Sequence, residues 1–173
     1  VPTPQPTSIV VELGGLADAT AAKNAVKCQQ AIGKAGVSFL SARLKQLDAC
    51  TNGISKCIQT KPDDATCVPK ASAKCAALAA AANAARGKLV ASVQAKCGAA
   101  LVSPGDLGGS TGLGYADPVC TAELGHPPAS IADVAECIAS RYACSASTIY
   151  GTEAPRAGEL RRIAGLPAEG GCL

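Results

Sequence analysis

CTNGISKCIQTKPDDATCVPKASAKC, residues 50–75, places four cysteines around one turn that contains proline. On both sides of this turn apolar residues recur at three- and four-residue steps, which is the pattern of amphipathic helices. The segment KPDDAT, residues 61–66, interrupts that pattern with turn-forming residues. The sequence therefore predicts two long helices, one from Asp18 to about Thr60 and one over Pro69–Lys96, joined as an antiparallel hairpin.

The cysteine positions set the register of this predicted hairpin. In an antiparallel pair of helices, two residues at the same height have position numbers whose sum is nearly constant. Three cysteine pairs meet this condition, with sums of 125, 125 and 124: Cys28 with Cys97, Cys50 with Cys75, and Cys57 with Cys67. A disulfide needs Cα atoms about 4.4–6.8 Å apart, and the alanine-rich face of the second helix permits such an approach. We therefore expect three nested disulfides across the hairpin.

The composition indicates an oxidised, secreted protein. The chain of 173 residues has ten cysteines but one Phe and neither Trp nor Met, so its core must be built from small side chains and supported by disulfides. Because the sequence begins at Val1 and contains no Met, we expect that a signal peptide has been removed. Zinc and redox motifs are not favoured, since no two cysteines lie closer than seven positions and His126 is the only histidine.

Charge and hydropathy argue against two classes of partner. The formal net charge is only +3, and the lysines are spread along the predicted helices rather than gathered beside aromatic residues, so we expect no nucleic acid partner. The most apolar window, residues 76–93, is interrupted by Asn83, Arg86 and Lys88. A bilayer span needs roughly 20 apolar residues, so we expect no membrane span.

The composition and sequence pattern divide the chain into four parts. They are an extended Pro/Thr-rich arm with one short strand (1–16), the disulfide-linked helical hairpin (17–98), a glycine-rich connection (99–116) and a small helical cluster (117–173). In the last part, Pro118 favours a short helix, Ser130 and Asp133 form a capping-box pattern for a helix to about Tyr150, and Pro155 starts or kinks another. The predicted fold class is all-α.

Four cysteines in the predicted cluster allow three pairings. Cys120 and Cys137 stand nearly level on either side of the turn at 125–128, whereas Cys144 is about 10 Å farther along its helix. We therefore expect Cys120 to pair with Cys137, which leaves Cys144 for Cys172. The alternative pairs Cys120 with Cys144.

Several segments resemble a group of secreted, cysteine-rich helical proteins from environmental bacteria. The segments are DATAAKNAVKCQQAIGKAG (18–36), KCIQTKPDDATC (56–67), KASAKC (70–75), IADVAEC (131–137) and EAPRAGELRRIAG (153–165). The resemblance covers nearly the whole chain after the arm and implies export and a helical hairpin. The group has no assigned activity, so it implies no functional residue.

No constellation of residues predicts catalysis, a metal or a cofactor. His126 precedes Pro127 and Pro128 with no nucleophile placed near it, which is typical of a surface turn. Asp63 and Asp64 precede the second helix and favour its capping, with a calcium site as the alternative.

Two groups of residues outside the predicted hairpin, one of arginines and glutamates and one of tyrosines, each allow a structural and a functional interpretation. The arginines with nearby glutamates favour exposed ion pairs over an anion site: Arg156, Arg161 and Arg162 with Glu153 and Glu159. The tyrosines favour partial burial over a small pocket: Tyr115, Tyr142 and Tyr150. We expect no small-molecule substrate.

The arm carries the functional hypothesis. The β-branched segment SIVVEL, residues 8–13, has no partner strand elsewhere in a helical chain. An unpaired strand leaves its backbone donors and acceptors without hydrogen bonds unless another segment pairs with it. We expect Ile9, Val10, Val11 and Leu13 to contact a neighbouring copy, which predicts an extracellular structural subunit that assembles into a filament. Thr3 and Thr7 are candidate glycosylation sites. The alternative is a secreted monomeric binding module, a carrier or an inhibitor, with the arm packed on its own subunit.

Overall fold

The computed structural model describes residues 15–109, 111–115 and 118–166, and it contains six helices there. They are α1 (Ala19–Thr60), α2 (Cys67–Cys97), α3 (Pro104–Gly108), α4 (Pro118–Leu124), α5 (Ile131–Glu153) and α6 (Ala157–Ile163). The all-helical class is confirmed for this part of the chain. The predicted strand of the arm lies outside the described residues. The same is true of its predicted contact residues, the candidate glycosylation sites and the last cysteine: Ile9, Val10, Val11, Leu13, Thr3, Thr7 and Cys172.

The bounds of α1 and α2 follow from local hydrogen bonds. Asp18 caps α1, because its Oδ1 accepts a hydrogen bond of 2.6 Å from the Ala21 N–H. After α1 ends, the Asp64 carboxylate accepts from the backbone N–H and the hydroxyl of Thr66, at 2.9 and 2.8 Å. These bonds hold the turn that reverses the chain, and α2 begins at Cys67. Pro69 falls in its first turn, where a missing N–H breaks no helical hydrogen bond.

The three long helices α1, α2 and α5 pack side by side. The disulfides nest around the turn, so α1 and α2 run in opposite directions. Phe39 of α1 shares a core cluster with Ile138 of α5, and eight residues later Leu47 shares one with Tyr150. Contacts along α5 thus advance in the same direction as along α1, which makes α5 parallel to α1 and antiparallel to α2.

The main core lies where these three helices meet. It includes the Cys28–Cys97 disulfide and apolar side chains from all three helices. These side chains are Ile32, Phe39, Leu89, Val93, Val134, Ala135, Ile138 and Ala139. Arg86 of α2 also binds Glu136 of α5, with Nη1 2.6 Å from Oε2. The hairpin and the C-terminal helices are therefore distinct in sequence but share one core.

The glycine-rich connection predicted from the sequence contains a short helix, α3, which packs against the core. Ser103 caps α3 by accepting from the Asp106 N–H at 3.0 Å, and Leu107 is buried. The chain then returns, and the Leu113 N–H donates to the Asp106 carbonyl at 2.8 Å. A Cβ at Gly112 would overlap that same carbonyl oxygen, so glycine is required where the two backbones meet.

Two glycines of α1 should respond oppositely to substitution by alanine. The ring of Tyr142 occupies the place where a Cβ on Gly36 would stand, whereas nothing lies near the same position at Gly33. We expect Gly33→Ala to raise the free energy of unfolding by about 0.5–1 kcal/mol, because glycine weakens a helix interior. Gly36→Ala should lower it by about 1 kcal/mol, because overpacking displaces Tyr142 and outweighs the same helical gain. Guanidinium unfolding of both variants checks this, and equal shifts of the two midpoints would contradict the packing of α5 on α1.

Candidate functional site

Three disulfides join α1 to α2 at successive heights. They are Cys28–Cys97 and Cys50–Cys75, each with Cα atoms 4.9 Å apart, and Cys57–Cys67 with Cα atoms 5.5 Å apart. These are the three pairs expected from level positions in an antiparallel hairpin. The cross-links hold the two helices in one register along most of their shared length.

The fourth described disulfide joins α4 to α5. Cys120 pairs with Cys137, with Cα atoms 5.5 Å apart, rather than with Cys144. Cys144 is itself disulfide-bonded, and its expected partner Cys172 lies outside the described residues. No cysteine in the described ranges is free, so this part of the chain offers no thiol for redox chemistry.

A cleft between α1 and α5, here called the tyrosine cleft, contains two of the three tyrosines. Its volume is about 280 Å³, and its lining includes Gln29, Ile32, Tyr115, Arg141 and Tyr142. The Tyr115 hydroxyl donates to Oε1 of Gln29 at 3.3 Å. Burial raises the pKa of Tyr115, while the Gln29 hydrogen bond opposes that rise. The phenol is therefore a neutral hydrogen-bonding group at physiological pH.

The third tyrosine lies elsewhere. Tyr150 is buried against Leu47, Ala146 and Ala157 in a second core cluster. Tyr115 and Tyr142 are each half-buried, so the structure shows the partial burial that the sequence favours and, for this pair, a small cleft as well. The sequence cannot place them together, since Tyr115 reaches α1 only through the return of the chain after α3.

A second cleft lies at the start of α1 and is here called the N-terminal cleft. It measures about 340 Å³, and it is lined mainly by apolar side chains: Leu16, Ala22, Ala25, Val26 and Leu113. Gly15, the first described residue, is also part of its wall. The cleft therefore lies where the described part of the chain begins.

Two exposed valines lie along α1, and the first of them is in the wall of the N-terminal cleft. Val26, in the cleft wall, is 56 % exposed, and Val37 is 64 % exposed. Eleven residues make just over three helical turns, so both side chains lie on the same side of α1, about 16 Å apart. Val26 and Val37 are therefore two exposed apolar points on one line along α1, here called the apolar ridge, with the exposed Gln30 between them.

The remaining predicted residues have structural roles. His126 is exposed, with Nδ1 3.0 Å from the Pro127 carbonyl oxygen. Asp64 is exposed and bonded to Thr66, and chiefly the side-chain hydrogen bond from Thr66 lowers its pKa. Arg156 forms an exposed ion pair with Glu159, with Nε 2.9 Å from Oε2. The described ranges contain no group of three His, Cys, Asp or Glu side chains placed to hold a metal ion.

One arginine departs from the sequence expectation. The sequence predicts that Arg161 takes part in exposed ion pairs, but the side chain is buried, and its Nη1 lies 3.9 Å from Sγ of Cys50. The reason is that α6 packs against α1 beside the Cys50–Cys75 disulfide, where Leu160 joins the third core cluster. The adjacent Arg162 is exposed.

Comparison of the chain with protein-family models, with curated proteins and with solved structures finds no match. In the described ranges, none of the helices has both the length and the apolar character that crossing a bilayer requires.

Proposed function

We propose that this protein is an extracellular structural subunit that assembles with copies of itself through its N-terminal arm. Secretion is supported by the four described disulfides, since such bonds form and persist in oxidising compartments. A rigid, cross-linked rod suits a structural role, because α1 alone is about 63 Å long and is tied to α2 at three heights.

The N-terminal cleft and its apolar ridge carry this proposal. They present exposed apolar side chains in a protein whose other apolar residues mostly fill the core. An apolar cleft with exposed apolar side chains beside it suits association with an apolar segment. The arm supplies a matching segment, because Ile9, Val11 and Leu13 alternate along SIVVEL and lie on one side of any extended chain.

The lengths of the two surfaces agree. An extended segment rises about 3.3 Å per residue, so Ile9 and Leu13 would stand about 13 Å apart. The ridge from Val26 to Val37 spans about 16 Å. One arm segment would therefore span most of the distance between Val26 and Val37.

A neighbouring copy is the proposed donor of the arm. To lie along the ridge of its own subunit, the arm would have to turn back along α1 in the few residues between Leu13 and Asp18, whereas an arm from another copy needs no such reversal. Exchange of arms in one direction links copies head to tail, and such a heterologous contact repeats into a filament unless its rotation closes a ring.

Deletion of residues 1–13 should abolish assembly and leave the fold intact. The deletion removes the proposed donor but keeps Gly15, Leu16 and the Asp18 cap of α1. Light scattering after size-exclusion chromatography should show oligomers for the full chain and monomers for the shortened one. Val26→Lys should have the same effect, because it places a charge in the cleft.

The matched control is Ile149→Lys, which puts the same charge on an exposed apolar residue of α5 (41 % exposed) away from the cleft. This control should assemble normally. A full chain that stays monomeric at high concentration, or a shortened chain that assembles as well as the full one, would show that the arm does not link subunits.

The tyrosine cleft favours a second candidate, a secreted monomeric binding module. Its volume lies just below the range of about 300–1,000 Å³ typical of ligand sites, and apolar Ile32 and Ile138 line it together with Gln29 and Arg141. A module of this kind would be monomeric with its arm intact. The light-scattering measurement of the full chain therefore separates the two candidates.

A further inference from the structure

Charge is strongly segregated along the chain. Residues 15–98 contain twelve Lys and Arg against four Asp, and they include every lysine of the protein. Residues 99–173 contain four Arg against eight Asp and Glu. The small net charge of the whole protein thus conceals a strongly basic hairpin, and long-range attraction depends on such local excess rather than on the total.

The lysines of α1 occupy one side of the helix. Lys23, Lys34, Lys45 and Lys56 follow one another at intervals of eleven residues. Eleven residues make just over three turns, so these side chains form a line with a spacing of about 16 Å. The four charges extend over roughly 50 Å of α1.

The lysines of α2 are arranged similarly. Helical geometry places Lys70, Lys74, Lys88 and Lys96 within about 80° of one another around the axis. Residues 67–97 contain no acidic residue. Each helix of the hairpin therefore has one cationic side.

Both cationic sides flank the same groove, here called the lysine groove. It lies between α1 and α2, has a volume of about 420 Å³, and its polar lining consists of Lys34, Ser38, Lys88, Ser92 and Lys96. Its floor is formed by small or buried apolar residues such as Ala35 and Leu89.

The lysine groove faces away from α5. Gly36 lies under Tyr142 of α5, and two residues correspond to a rotation of about 200°, which puts Lys34 on the opposite side of α1. The same relation holds in α2, where Arg86 binds Glu136 of α5 and Lys88 is two residues later. In the described ranges no ion pair engages the three groove lysines.

We propose that the lysine groove binds an acidic polysaccharide, a linear polymer that carries carboxylate or sulfate groups. A line of compact ammonium charges suits a polymer with regularly repeated anions, because lysine acts as a point charge without the fixed bidentate geometry of arginine. Ser38 and Ser92 add hydroxyls that can hydrogen-bond sugar hydroxyls. This inference concerns a surface distinct from the N-terminal cleft and does not depend on self-assembly.

Other polyanions fit the groove less well. Single-stranded nucleic acids are bound on aromatic side chains that stack with the bases, and the lysine groove is lined by none. Membrane surfaces are held more firmly where large apolar side chains insert beside the cations, whereas the floor here consists of alanines and a fully buried leucine.

The test compares two charge-matched triple variants of the full chain. Lys34, Lys88 and Lys96 are each replaced by Gln in the groove variant, and Lys61, Arg156 and Arg162, all exposed and outside the groove, are each replaced by Gln in the control. The probes are polygalacturonate and heparin, with a single-stranded DNA oligonucleotide and anionic lipid vesicles as competitors. Circular dichroism checks that both variants fold.

We expect the native protein to bind polygalacturonate or heparin with an affinity that falls steeply with salt, as for any polyelectrolyte contact. The groove variant should bind at least tenfold more weakly, and the control should stay within about twofold of the native protein, because the groove geometry and not the total charge determines binding. Equal losses in both variants, no binding of either polysaccharide, or tighter binding of the oligonucleotide or the vesicles would each overturn the proposal.

Discussion

Replacing Cys28 and Cys97 together by alanine lowers the free energy of unfolding by about 4 kcal/mol, and this is the largest effect expected of removing one described disulfide. The bond closes 69 residues of sequence and lies fully buried in the main core. In the chain-entropy view, a cross-link stabilises by restricting the unfolded chain, and a longer loop gives a larger effect.

The three disulfides of the hairpin are nested, and this changes how much unfolding free energy is lost when each one is removed. It also predicts the order of the three losses. While Cys50–Cys75 and Cys57–Cys67 remain closed, the loop that Cys28–Cys97 adds is shorter than its separation in sequence. The same reasoning gives about 3 kcal/mol for Cys50–Cys75 and somewhat less for Cys57–Cys67, whose separation is only 10 residues. The costs should therefore decrease from the open end of the hairpin toward its turn.

Guanidinium unfolding of the three double-alanine variants measures this order. Each variant keeps an even number of cysteines, so disulfide exchange with an unpaired thiol does not complicate the comparison. A result in which removal of Cys57–Cys67 costs most, or in which all three cost the same, would contradict the nested arrangement.

Phe39→Ala should be the most costly single core substitution, at about 3–5 kcal/mol. Phe39 is the only phenylalanine and is 2 % exposed, in the cluster formed by α1, α2 and α5. Its neighbours in the cluster, such as Ile32, Leu89 and Ile138, are held by packing from three helices, so they cannot fully collapse into the space that the ring leaves and a cavity persists.

The matched control is Val37→Ala, two residues away on the same helix and 64 % exposed. It should change stability by less than about 0.5 kcal/mol, because an exposed side chain leaves no cavity and alanine favours the helix. If Phe39→Ala cost no more than this control, Phe39 would not be a core residue and the packing of α5 on the hairpin would be wrong.

The hairpin was predictable because its information is local and periodic. The apolar periodicity of α1 and the level cysteine positions depend only on helical geometry, and the buried residues of α1 include Cys28, Ile32, Phe39 and Cys50, which share one side of the helix. The capping box of α5 was predictable for the same reason, since Ser130 and Asp133 satisfy each other within one turn.

The two clefts were not predictable, because they depend on long-range returns of the chain. Leu113 and Tyr115 lie in a segment whose glycines suggest a flexible connection, yet backbone hydrogen bonds to Asp106 and Leu107 bring them back toward α1. The only local signal was the Ser103-Pro104 pair followed by Asp106, a helix-start pattern that marks α3.

The lysine groove was visible in the sequence as a spacing of eleven residues and not as a cluster. Lysines that are far apart in the sequence lie on the same side of α1, because α1 is one uninterrupted helix. Their meeting with the lysines of α2 required the register that the disulfides impose. Net charge alone conceals this surface.

The central claim, that the arm of one copy lies on α1 of another, is tested most directly by isotope-mixed cross-linking. Chains with a photoreactive residue at position 11 are prepared in light and heavy nitrogen, mixed as monomers, allowed to assemble and irradiated. We expect about half of the cross-links from position 11 to peptides containing Val26 to join a light chain to a heavy one. If these cross-links joined only segments of the same isotope, the arm would lie on its own subunit and the claim would be wrong.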